Sequence, residues 1–496
     1  LYISQGYALP STAGPWSAAE LSLLLERIER TALSPVEQGQ YDRLAQALGG
    51  INTTIAVSPA VAVEAYAHTN KDDFTSPDDW FFGYDERSPF LNLPLELSFG
   101  RNLYGYMGIS LGNNKIDDWV FEPNMHGNER GHVTSPFFGS SYLTGNIPFV
   151  PPGKFSHIDM NMPYRAFLSL GDYNWNLQIG RDRLSWGAGD TGNFVLGSHV
   201  QYHSMARFTA FSRNFKYTFL SSFFPHPEEI KENQDTNQAQ PVGEHGLKMF
   251  IGQRFEWRFN RNRMGLAVSE NMMYQSNGGI DLRILNPLMI FHNYFIRTNS
   301  NSLLSVEFDY TPVPRWNFFV QIAVDEFAFF GEPQPGKSDG AYPNAMGYML
   351  GAKTVQPFDK GIAWANVELA YTTPYLYLRS LNGTDAQTDS NETLNFVIAL
   401  RRYVKDAGGS EHAIYEPAFL GYQYGGDAIV AQVKGGYYVP DSWSVSHPML
   451  AKLRQPLMIL LSLLRMQFPI PLSWERLAVT RLPPGLKPTE KLMSSW

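Results

Sequence analysis

One short stretch of the chain combines residue types that bind anions and stack on rings. Arg181, Asp182 and Arg183 are consecutive, and Trp186 follows three residues later. A guanidinium is a planar fork that grips a carboxylate through two hydrogen bonds, so acidic sugars are suitable ligands. Indole and phenyl faces stack on sugar rings, and Trp80, Phe82 and Trp119 offer such faces in long polar segments. The candidate ligand contacts are therefore Arg181, Asp182, Arg183, Trp186, Trp80, Phe82 and Trp119. Each also has a plainer reading. The charged triplet suits an ion network inside a closed sheet, Trp186 suits an interfacial belt, and loop aromatics commonly anchor their own loop.

Other chemistry finds little support. The 496 residues contain no cysteine, which removes disulfides, thiolate metal sites and cysteine nucleophiles. His68, His126, His203 and His245 are scattered, with no pair at a metal-ligand spacing. No nucleophile-elbow motif is present for a serine hydrolase. A net charge of -8 argues against a nucleic-acid partner. The expectation is a binding protein that is not an enzyme and uses no cofactor or metal.

The elements that must position these residues read almost entirely as strands. Tyr173, Trp175, Leu177 and Ile179 fall on one parity, while Asn174, Asn176, Gln178 and Gly180 fall on the other. The phase breaks at Arg181-Asp182-Arg183, Leu184 and Trp186 resume on the opposite parity, and a glycine-rich loop, Gly187 to Gly192, follows. The same alternation recurs from Ile51 onward. Aromatics reach 14% and charged residues only 17%, yet mean hydropathy is -0.25. That balance is what a membrane barrel gives, with alternate residues facing lipid and water. No apolar run reaches the roughly 18 residues of a spanning helix.

Connections alternate in length. Short turns stand at Gly100-Arg101-Asn102, Gly171-Asp172, Ser212-Arg213-Asn214, Asn260-Arg261-Asn262, Pro312-Val313-Pro314 and Pro357-Phe358-Asp359, with long Gly/Pro/Asn-rich loops between them. This pattern predicts an all-β fold, a large antiparallel up-and-down transmembrane barrel of about 16–18 strands in an outer membrane. Charged parities must face inward, because a charge on the lipid face costs about 2–4 kcal/mol at the midplane. Both signs then crowd the lumen, from Asp159, Arg165, Asp182, Lys248, Arg254, Glu256, Arg258, Glu307, Asp309, Asp325 and Glu368. Paired charges favour a plugged lumen over a wide pore, with a water-filled porin as the competing reading.

Residues 1–50 form a predicted helical hairpin at the periplasmic end. Ser17 and Glu20 make a capping box, and Ser34-Pro35-Val36-Glu37 starts the second helix. Residues 51–446 form the barrel with long extracellular loops. Residues 447–496 form an atypical tail rich in Leu, Pro and Arg. A helix from Met449 to Met466, an altered reading frame and an incomplete barrel all stand as readings of it. No signal peptide is visible at Leu1, so the sequence reads as a mature chain.

The segment from Ile179 to Gly187, IGRDRLSWG, is followed by a Gly/Asn loop and later by Ser269-Glu270-Asn271 and Leu285-Asn286-Pro287. In these motifs, over roughly Ile51 to Ser446, the chain resembles the Wzi-type capsule-assembly proteins. The resemblance implies an outer-membrane lectin that binds capsular polysaccharide, on a barrel of about eighteen strands with helices at its periplasmic end. No family ligand residue is carried over, because no ligand motif matches. The partners expected are capsular or other surface polysaccharide and outer-membrane lipid, around a monomeric barrel. A porin or sugar channel is the alternative.

Overall fold

The computed structural model describes residues 1–49, 55–67, 89–100, 102–113, 143–145, 158–159, 165–226, 246–276, 280–286, 300–327, 344–378, 394–405, 411–440 and 444–454. Two helices, α1 (Ala18–Leu25) and α2 (Pro35–Gly49), precede a single antiparallel sheet of 15 strands that curls into a barrel. Along the chain the strands are β1 (Ile55–Val57), β2 (Leu91–Phe99), β3 (Leu103–Asn113), β4 (Ala166–Asp172), β5 (Trp175–Asp182), β6 (His203–Phe211), β7 (Phe215–Phe224) and β8 (Leu247–Phe259). They continue as β9 (Met264–Ser276), β10 (Ser300–Val313), β11 (Trp316–Glu326), β12 (Ala345–Pro357), β13 (Ile362–Thr372), β14 (Ala428–Tyr438) and β15 (Ser444–Arg454). A short extension of β1, Ala60–Val61, continues its register on β2 past Pro59, which has no N–H to donate.

Nearly every neighbour in the sheet is a neighbour in sequence, the up-and-down order expected from the turns. The expected short turns mark junctions of paired strands at one end of the barrel; Gly171-Asp172, Pro312-Val313 and Pro357 are the last strand residues before theirs, and Arg101 lies outside the described residues. Asn260, Arg261 and Asn262 all adopt positive φ there, which compresses the β8–β9 turn. Strands β8, β9 and β10 are 13, 13 and 14 residues long, enough to cross a bilayer at a tilt. The ladders run from β15 round to β1, and none among the described residues joins those two ends.

Just after Ser446 the chain is strand, which departs from the helix from Met449 offered as one reading of the tail; residues 455–496 lie outside the described residues. Residues 447–454 continue β15, in register with β14 from Ala428↔Arg454 to Tyr438↔Ser444. An antiparallel neighbour supplies partners for the backbone along its whole length, and those ladder bonds outweigh weak side-chain alternation.

Side-chain direction follows parity. Leu168, Ile179, Leu304, Phe318, Leu350 and Leu369 stand exposed on the outer face, while Asn176, Arg254, Glu307, Asn317 and Glu368 are buried on the inner one. The inner face is not polar throughout. Met205, Leu220, Phe250, Met273, Leu303, Phe319, Met349 and Val430 point inward and form one cluster with residues from two inserted segments. The first segment is the β5–β6 connection, through Leu184, Trp186, Phe194, Val195 and Leu196. The second is a hairpin, Val397–Lys405 paired with Glu411–Phe419, which interrupts the run from β13 to β14 and contributes Phe396, Ile398 and Leu420. An apolar core therefore lies inside the barrel.

Nearer the short turns the filling is ionic and comes from the N-terminal strap, residues 8–15. Leu9 N–H donates to Asp309, Ser11 Oγ to Glu256 and Thr12 Oγ1 to Glu307. Helix α1 then docks beside the barrel end, where Lys216 Nζ lies 2.7 Å from Glu20 Oε1 and Arg27 donates to the Arg213 carbonyl. Ser17 Oγ accepts from Glu20 N–H, the cap expected from sequence. Ser34 and Glu37 make the matching contact at α2, with Ser34 Oγ and Glu37 Oε2 2.7 Å apart.

Candidate functional site

The residues from Arg181 to Trp186 are split between three environments. Strand β5 presents Asn176, Gln178 and Asp182 inward, so Asp182 is fully buried at the long-loop end of the lumen. Its carboxylate accepts from Arg165 Nε, from Gln178 Nε2 at 2.6 Å and from the Arg183 N–H at 2.8 Å. Arg165 lies with its guanidinium 4.8 Å from the Tyr106 ring centroid and 5.1 Å from that of Phe167. Asp182 thus belongs to a lumenal ion network, and its oxygens are engaged by the protein itself. It is not an accessible ligand contact.

Arg181 and Arg183 take the opposite direction. Arg181 pairs across the ladder with Ser204, on the outward parity, and its Nη1 donates to Ser204 Oγ at 3.3 Å. Arg183 is exposed and sits 5.5 Å from the Tyr202 ring centroid, which Arg181 also approaches at 5.9 Å. Both arginines lie on the outer face at the long-loop end, so of the charged triplet only Asp182 joins the ion network inside the sheet.

Trp186 is neither an interfacial belt residue nor a sugar platform. It is wholly buried at the centre of the lumen, edge-on to Phe250 at 6.4 Å and 5.9 Å from the Arg254 guanidinium. Gly252 makes room for it, since a Cβ there would meet the indole at 2.8 Å. The reversal of apolar parity at Leu184 is the physical cause, because it turns this segment from the wall into the interior. Trp80, Phe82 and Trp119 lie outside the described residues.

The inserted loop is held by the inward-facing Glu368 together with Asp190, Tyr377 and His199, which carry no local sequence signal. Glu368 accepts from the N–H groups of Asp190 and Thr191 at 2.6 and 2.9 Å. Asp190 stands 3.7 Å from Lys353 and 3.8 Å from Lys434; burial opposes its charge, but the two lysines and Asn366 hold its carboxyl below the usual range. Tyr377 Oη donates to the Phe194 carbonyl and accepts from Tyr422 N–H, both at 2.8 Å. His199 Nε2 lies 2.6 Å from the Phe419 carbonyl, linking the loop to the inner hairpin. Runs apolar on both parities, Met249-Phe250-Ile251 and Met272-Met273-Tyr274, are the sequence signal for this core, since strands covered on both faces lose alternation. Ile284 covers the outer side of those two runs.

The strap completes the filling. Arg254, fully buried, donates to Glu307 at 2.6 and 2.9 Å, to Glu256 at 3.2 Å and to Thr12 at 2.6 Å. A cavity of about 10 Å³ between Leu9, Thr12, Ala188, Arg258 and Glu307 has room for at most about one water. Among the described residues no group of acids and histidines is arranged to hold a metal.

The outward apolar band needs a hydrocarbon environment, and the whole architecture has a solved counterpart. Its fold is similar to that of Wzi from Escherichia coli, with a TM-score of 0.52 and 14% identity, covering 92% of this chain and 83% of that one. That protein is described as an outer-membrane protein involved in group 1 capsule assembly and a carbohydrate-binding β-barrel. The present chain is an outer-membrane β-barrel. At this identity the likeness shows the fold alone. Salmonella typhi OmpF in complex with daunomycin (TM-score 0.32, 8% identity, 80% of this chain and 89% of that one) is a more distant match. Pseudomonas putida OprB is another (TM-score 0.32, 10% identity, 84% and 91%). No family model matches the sequence, and no curated protein matches it. The short turns and helix α1 share one end of this barrel.

Proposed function

We propose that this barrel holds surface polysaccharide at the cell exterior and supports capsule assembly, acting as a single non-catalytic lectin. The observation that supports this reading over a sugar channel is the filled lumen: an apolar core towards the long-loop end and an ionic layer around the strap. A barrel filled in this way leaves its outer loops as the surface for a polymer. The fold likeness to a carbohydrate-binding barrel of capsule assembly points the same way. Repeated weak contacts along one chain raise avidity without any tight single site, so a few stacking aromatics suffice. Trp80, Phe82 and Trp119 are the proposed platforms.

The test is polymer retention on cells. A strain carrying the Trp80→Ala, Phe82→Ala, Trp119→Ala variant should insert a folded barrel yet release polysaccharide into the medium. A deletion strain that keeps its polysaccharide fully attached would end this reading.

A further inference from the structure

The Arg181–Tyr202–Arg183 group faces away from the lumen, and its neighbours say what it faces. On the same outward parity, two residues below Arg181 or roughly 7 Å along the strand, stands Ile179, 55% exposed. Ile179 pairs with Leu168, 54% exposed, and Phe223 is exposed opposite Ser204. The group therefore caps a lipid-facing column at the long-loop end of β5, where hydrocarbon gives way to headgroups. Tyr202 and Phe223 supply the aromatic belt expected at that level.

Within this group Arg183 carries the argument. Its guanidinium is exposed, lies over the Tyr202 ring, and has no carboxylate partner among the described residues. The nearest acid, Asp182, points inward and receives only the Arg183 backbone N–H. The Tyr202 ring, 5.5 Å from the Arg183 guanidinium, holds the cation by its face and makes no hydrogen bond that would use up the N–H donors. A planar fork at headgroup depth matches a phosphate, which accepts two parallel hydrogen bonds and repays the cost of holding a cation near hydrocarbon.

We propose that Arg183, oriented by Tyr202 and seconded by Arg181, binds the phosphate of a phosphorylated lipid headgroup in the outer leaflet. This inference rests on the membrane position of β5 and not on the polysaccharide reading, so each can fail alone. A membrane lipid is favoured over an acidic polymer because the flanking side chains are lipid-exposed leucine, isoleucine and phenylalanine.

The experiment titrates the detergent-solubilised full-length barrel with a diphosphorylated glycolipid, its dephosphorylated counterpart and an acidic polysaccharide, read by native mass spectrometry. The wild type should prefer the phosphorylated glycolipid, and Arg183→Ala should weaken that binding about tenfold, as for loss of a charge-assisted hydrogen bond. Arg183→Lys should fall between the two, keeping charge but losing the fork. Arg261→Ala, at the opposite end, should bind as wild type. Equal binding of the phosphorylated glycolipid by wild type and Arg183→Ala would overturn the proposal. So would equal binding of the two glycolipids by the wild type. Loss of polysaccharide binding in Arg183→Ala with lipid binding unchanged would also overturn it, and would assign the arginine to the polymer.

Discussion

Arg254 is fully buried, and among the described residues its charge is paired with Glu307 and Glu256. Removing one partner of a buried pair leaves the other uncompensated, typically at about 3–5 kcal/mol. Glu307→Ala should therefore unfold at clearly lower temperature in the heat-modifiability assay. The paired change Arg254→Met with Glu307→Leu should be milder than Glu307→Ala, because one charge of each sign leaves together and Glu256 keeps Arg258 at 3.4 Å. Trp186→Ala should cost a similar amount, about 3–5 kcal/mol, by leaving a cavity against Phe250 and Gly252. Arg183→Ala, at an exposed side chain, should stay within about 0.5 kcal/mol of wild type. An equal thermal shift for Arg183→Ala and Trp186→Ala would contradict the separation of these residues into outer face and core.

The inserted loop and the inner hairpin are joined through His199 and the Phe419 carbonyl. Burial lowers the His199 pKa, against the opposing pull of that carbonyl. A histidine whose folded pKa is depressed contributes stability above its unfolded value of about 6.5, and loses it as pH falls through the folded value. Acidification from about pH 7 to pH 5 should loosen the loop, read as faster proteolysis or hydrogen exchange across residues 194–200. In His199→Leu that acid sensitivity should shrink; full retention would remove His199 as its source. How far these elements were legible varies with what each strand touches. The alternation of Leu304, Val306, Phe308 and Tyr310 with Ser305, Glu307 and Asp309 placed β10 correctly, since one face meets lipid and the other the ionic layer. The turns were legible because Asn260-Arg261-Asn262 and its counterparts carry their own backbone preferences. Trp186 and Phe250 were misjudged or passed over because their partners lie far away in sequence, on a loop that fills the lumen instead of leaving it. The continuation of β15 through Pro448 to Arg454 rests on pairing with β14, a long-range effect that local composition does not carry.

The barrel as a whole is closer to a core wrapped in a sheet than to a pipe. Its outward parity is a lipid-facing surface, and its inward parity holds two layers of filling. The N-terminal strap fixes the short-turn end, because residues 8–15 reach into the lumen while α1 stays outside it through Glu20 and Lys216. Deleting residues 1–15 should strand Glu256, Glu307 and Asp309 without their strap partners and open the short-turn half of the lumen. The most direct measurement of the account is the conductance of the purified full-length barrel in a planar bilayer. The wild-type barrel should insert without stable large conductance steps, since its described lumen is packed with Trp186, Phe194, Phe250 and their neighbours. Stable, large steps from the wild-type protein would contradict it and make the barrel a channel.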